Sequence, residues 1–153
     1  MPIVSAIGGN AGTQSLTVTV RALATRELNR SNSVRTFWRE IAVGLANGLV
    51  LSPLIGVAAA LWSGDWRIGA VIATAMVLNL IVAATVGVLT PLTLSRLKFD
   101  PAVSSAVFVT ATTDFFGFLI FLGLATVVAT HEIAEVFVIA NGVRAGRSNS
   151  SAR

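Results

Sequence analysis

Residues 41–61 read IAVGLANGLVLSPLIGVAAAL, 21 residues without a charge. At about 1.5 Å per residue, a helix over this run crosses the roughly 30 Å hydrocarbon core of a bilayer. A helix on a water-soluble domain would be apolar along one face, whereas this run is apolar all round, so lipid or other helices must wet it. A second charge-free run covers 68–95, 28 residues, long enough to span with tilt. A third, about 102–130, carries one acidic residue, Asp114. The whole chain agrees: it is 54% hydrophobic and 12% charged, with a mean hydropathy of +0.80, too apolar for a surface facing water. The expected fold is all-α, a polytopic transmembrane bundle of about four helices with the first one partial.

Outward from these spans, residues 3–24 form a mixed segment in which Gly8, Gly9 and Gly12 alternate with Asn10, Thr13, Gln14 and Ser15; on hydropathy it is a poor span. The next stretch sets Arg21, Arg26, Arg30, Arg35 and Arg39 against only Glu27 and Glu40. Its second half begins as a Ser33-capped helix with Phe37 and Trp38 at headgroup level. Pro53 predicts a kink. Residues 62–67 make a turn with two interfacial tryptophans, and Pro91 marks where the next helix leaves the core. Ala70, Ala73, Ala83, Ala84 and Gly87 allow close backbone approach. A basic turn at 96–101 leads into the last span. The helices are thus expected at about 3–24, 41–61, 68–95 and 102–130, with 131–153 a partly disordered tail from Gly146 onward. Basic residues favour the cytoplasmic side, so the first and third loops are expected in the cytoplasm and the chain in the inner (plasma) membrane, multi-pass, with membrane lipid as its surroundings. No secretory leader pattern follows Met1.

The absence of cysteine removes disulfides and thiolate chemistry, and the single His131 rules out a multi-histidine metal cage. The net charge of +4 comes from arginines in loops beside apolar segments, which argues for topology and against nucleic acid. Asp114 is the most informative residue: an ionisable group at bilayer depth costs about 2.5–3.5 kcal/mol or more and is tolerated mainly along a polar path. Thr110 and Gly117 are expected on its helical face, with Thr112 and Thr113 nearby. One carboxylate with hydroxyls and carbonyls suits a divalent cation that keeps its water; the alternative is a protonated Asp bonded to a neighbouring helix. The block from Gly8 to Ser15 fits a pore wall, though a glycine turn ahead of a helix would look alike. Asn47 and Asn79 are expected to bond across helices, and His131 and Glu132 to form a solvated pair at the interface. No nucleophile and base pair can be assembled, so the chain is not expected to be an enzyme.

The blocks Gly8-Gly9-Asn10-Ala11-Gly12-Thr13-Gln14-Ser15, Gly44-Leu45-Ala46-Asn47-Gly48, and Phe108-Val109-Thr110-Ala111-Thr112-Thr113-Asp114-Phe115-Phe116-Gly117, in that order, resemble the membrane domain of the MgtE family of magnesium channels and related solute-carrier magnesium transporters. The resemblance covers about residues 1–130. It implies a homodimeric pore for Mg²⁺, the transported ion, lined by the Gly-Gly-Asn helix and the last helix. Asp114, Thr110 and Asn10 would hold the hydrated ion, and Gly8, Gly9, Gln14, Ala106, Thr113 and Gly117 would complete the lining; Ala106 stands where some members carry an amide. Family members usually have five spans after a cytoplasmic Mg²⁺-sensing part, so this chain is expected to be truncated at its N-terminus. A separate subunit would then supply the missing part. The competing expectation is a non-transporting membrane fragment.

Overall fold

The computed structural model describes the backbone of residues 2–28 and 32–150, and their side chains except at 102–105, 135–137 and 140–150; Arg30 and the end of the tail from 151 lie outside the described residues. Charge-free runs become helices because only a helix satisfies every backbone polar group within its own segment. There are four among the described residues: α1 (Pro2–Ala24), α2 (Ser33–Ser63), α3 (Trp66–Arg96) and α4 (Pro101–Ser150). Among the described residues, three stretches are long and apolar enough to cross a membrane: α2, α3 and the Ala106–Ala134 part of α4. The all-α bundle read from the sequence is thus the fold.

Several boundaries differ from the sequence expectation. α2 opens at Ser33, but Asn32 holds the capping position, and its side chain donates to the Glu27 carbonyl instead of capping the helix. The turn after α2 forms as expected. Gly64 adopts a left-handed φ of 71° and donates its amide to the Ala60 carbonyl, and Asp65 caps α3 by accepting from the Arg67 amide at 2.8 Å. α3 covers the expected 68–95 and runs to Arg96, but Pro91, expected where the helix leaves the core, is buried, and Lys98, at φ 62°, turns the chain toward α4. α4 runs on as one helix through 131–150, the stretch expected as tail. Its 50 residues extend about 75 Å, far more than a bilayer requires.

α3 is the centre, in contact with each of the other three helices, while α1 and α4 also pack on one another. α2 meets α3 through a stripe four residues apart, Glu40, Gly44, Gly48, Ser52 and Gly56, all buried. That spacing keeps one narrow face toward its neighbour, and small residues there bring the backbones together. At Gly69 of α3 an added Cβ would lie 2.5 Å from the Gly56 carbonyl oxygen. On another face of α3, Ala75, Met76 and Leu80 join Val4 of α1 in the core, with Ile120, Phe121 and Leu124 of α4 against them. The outer faces stay apolar: Leu49, Val50, Leu54 and Val57 of α2 and Phe115, Leu119 and Leu122 of α4 are exposed, as a lipid-facing surface requires.

Candidate ion site

α1 presents Ser5, Gly9 and Thr13, each four residues apart and therefore on one face, toward the side of α4 that carries Thr110 and Asp114. Between them opens a groove of about 400 Å³ lined by Pro2, Ser5, Ala6, Gly9, Asn10, Thr13, Thr110, Asp114 and Phe118. A second open groove of about 460 Å³, bounded by Ala106, Val107, Thr110, Ala111 and Asp114, adjoins it on α4. Asp114, half-buried, belongs to both. Its Oδ1 accepts a hydrogen bond from the Ser5 hydroxyl. No cation reaches it among the described residues, so the carboxylate faces its grooves with a hydroxyl beside it and no charge to neutralise it.

Of the residues expected from the sequence, Asn10, Gly9, Thr110 and Asp114 come together at the first groove, and Ala106 borders the second. Gln14 is exposed on α1 but lines neither. Gly8, Thr113 and Gly117 are placed differently: all three are buried within the bundle. Gly8 and Gly117 flank Asn79 of α3, where an added Cβ would lie 2.2 Å and 3.1 Å from its Nδ2. Thr113 donates to the Thr110 carbonyl at 2.9 Å and is 0% exposed. The reason is angular. Gly117 lies three residues past Asp114, so it is rotated about 60° off that face, which turns it toward α3.

Asn79 fulfils the expectation of bonding across helices. Fully buried, it donates through Nδ2 to the Val4 carbonyl at 2.9 Å, and its Oδ1 has no partner. Asn47 does not; it is exposed on α2 and makes no hydrogen bond among the described residues. Glu132 is not simply solvated but pairs with Arg67, whose guanidinium lies 6.0 Å from the Trp66 ring centroid. That pair lines an open, apolar-walled groove of about 380 Å³ between α3 and α4.

Two polar residues lie outside what the sequence reading singles out. Ser5 precedes the glycine block, and its four-residue spacing to Gly9 and Thr13 is the one signal in the sequence that points to it. Glu40, expected as a loop charge, is 7% exposed and accepts from the Ser15 hydroxyl at 2.9 Å. The threonines of α1 return their hydroxyls to their own helix, whereas Ser5 and Ser15 each reach a carboxylate on another one.

Residues 1–124 match the family model of the MgtE divalent cation transporters. The magnesium transporter MgtE of Bacillus subtilis is 39% identical over 126 residues, covering 82% of this chain and 28% of that protein. That of Thermus thermophilus is 40% identical over 125 residues, with 82% and 28% covered. That of Enterococcus faecalis is 37% identical over 124, with 81% and 27%. The chain thus spans less than a third of the length of the curated relatives it matches.

Proposed function

Because this chain belongs to the MgtE family of divalent cation transporters, we propose that it conducts Mg²⁺ passively across the inner (plasma) membrane, as a dimer whose pore is lined by α1 and α4. The observation that carries this reading is the Asp114 carboxylate, exposed to a groove whose other polar atoms come from Ser5, Asn10, Thr13 and Thr110. Mg²⁺ demands octahedral oxygen coordination and gives up its water reluctantly. A site with one carboxylate, hydroxyls and an amide can hold such an ion through its waters, whereas a dehydrating cage would need several carboxylates. The described residues contain no group of three His, Cys, Asp or Glu side chains that could hold a metal ion. Two facing copies would give two carboxylates around one path, and the membrane potential would drive the ion inward. Gly9 adds no side chain to the wall; an added Cβ there would meet Thr110 and Thr113 at 3.8 Å, an ordinary contact.

In this arrangement the first and third loops face the cytoplasm, which places the arginine-rich segment after α1 beside anionic headgroups. A separate subunit bearing further spans is compatible with the exposed Asn47, an amide that lipid cannot satisfy. The test is growth of a magnesium-auxotrophic host at low Mg²⁺. The intact chain is expected to restore growth, and Asp114→Ala to abolish the rescue at equal membrane abundance. Rescue by both would refute the role of Asp114; rescue by neither would favour a membrane fragment without transport.

A further inference from the structure

Ser5 is 8% exposed on α1, and its hydroxyl is the one hydrogen-bond donor that reaches Asp114 among the described residues, across 109 positions of sequence. The turn that carries it is held from a third helix. Val4, its neighbour, receives the Nδ2 of Asn79, whose Oδ1 is buried with no partner. Gly8 and Gly117 leave that amide its space. A buried polar atom without a partner is costly, and helix packing alone would be served as well by an apolar side chain at this position. What the amide specifically achieves is to tie the Val4–Ser5 turn of α1 to α3, so the Ser5 hydroxyl is in place before any ion arrives.

We propose that Ser5 is a selectivity-determining residue of the ion site, with Asn79 as its positioning residue; this rests on the role of Asp114 argued above. By donating to Oδ1, Ser5 engages one oxygen of a carboxylate that borders the groove. Ca²⁺ accepts six to eight oxygens in flexible geometry and readily takes a carboxylate through both oxygens, whereas Mg²⁺ requires near-octahedral geometry and keeps several waters. A half-engaged carboxylate therefore serves a hydrated Mg²⁺ through a single oxygen and weakens the two-oxygen grip that Ca²⁺ would take, since one lone pair of Oδ1 is already used. Removing the hydroxyl frees Oδ1 and favours the larger ion.

Calorimetric titration of the purified full chain in detergent with Mg²⁺ and, separately, with Ca²⁺ tests this. Asp114→Ala is expected to abolish binding of both. Ser5→Ala is expected to lower the Mg²⁺/Ca²⁺ affinity ratio about tenfold, chiefly through tighter Ca²⁺ binding, the scale of one hydrogen bond to a charged group. Ser5→Thr, which retains the hydroxyl, is expected to keep the wild-type ratio. Ser5→Cys, with similar bulk and a weaker donor, is expected to shift the ratio in the alanine direction by less, and it decides the matter should the alanine variant fail to fold. An unchanged ratio in Ser5→Ala, with both affinities falling together or neither moving, overturns the proposal while leaving Asp114 in its role. Mg²⁺ binding that survives Asp114→Ala overturns the ion site itself, and the selectivity role with it.

Discussion

Gly87 offers the sharpest test of how α1 is seated. A methyl group placed on it would lie 2.5 Å from the carbonyl oxygen of Gly12 and 2.9 Å from Cβ of Ser15. Ordinary contact begins near 3.4 Å, so Gly87→Ala forces α1 and α3 roughly 0.9 Å apart, because a backbone carbonyl cannot swing aside as a side chain can. A gap of that size forfeits about a quarter to a half of the dispersion energy along the seam. Alanine also gains about 1 kcal/mol of helix propensity over glycine, which offsets part of the loss. The net expectation is a destabilisation of about 1–3 kcal/mol, the usual range for overpacking, and on the proposed function transport is expected to fall because α1 carries Ser5 and Asn10. Gly123→Ala is the control: nothing lies within 4 Å of its added methyl, so it is expected to be neutral or stabilising by up to about 1 kcal/mol. Reversible unfolding in mixed micelles, followed by helical circular dichroism, measures both. Equal stability of Gly87→Ala and wild type, or equal losses in the two variants, would refute the close seating of α1 on α3.

Other outcomes follow from neighbouring contacts. Gly8→Ala, whose methyl would collide with the Asn79 amide, is expected to cost about 1–3 kcal/mol alone and much less when combined with Asn79→Ala; a double-mutant cycle in the same micelles should return a coupling above about 0.5 kcal/mol, and strict additivity would contradict the contact. Ser15→Ala removes the hydrogen bond to the buried Glu40 carboxylate and is expected to destabilise by about 2 kcal/mol, whereas Glu40→Gln, which keeps an acceptor for Ser15, should cost less by the same unfolding measurement. Glu132→Gln breaks a pair whose members are 38% and 49% exposed; screening limits its effect to under about 1 kcal/mol, and a larger loss would mean that the pair is shielded from water.

Much of this architecture is legible from local sequence. Charge-free runs at 41–61 and 68–95 dictate spans because no peptide group can remain unpaired in hydrocarbon. The turn at 62–67 is readable from Gly64 and Asp65, each with its own local chemistry. Asp114 is identifiable from cost alone, since a carboxylate at that depth needs a polar surrounding. The family resemblance likewise rests on residues in linear order, and it locates Asn10 and Thr110 beside Asp114.

Helix rotation cannot be read in the same way. Thr113 and Gly117 neighbour Asp114 in sequence, yet Gly117 faces Asn79 of α3 and Thr113 packs beside Gly9 and Gly12 of α1, while Asp114 faces the groove. A low-contrast helix, polar residues and glycines mixed with apolar ones, carries no strong amphipathic signal to fix its azimuth. The pairing of Ser5 with Asp114, of Ser15 with Glu40, and of Asn79 with Val4 joins helices that are 25 to 109 residues apart in the chain. Sequence by itself therefore determined that the chain forms membrane-length helices and which carboxylate lies within a membrane-length apolar run, because both follow from transfer energies of local segments. Only the tertiary structure decided which faces meet, and hence which hydroxyl reaches that carboxylate, because helix azimuth is set by steric fit between neighbours and not by the solvent.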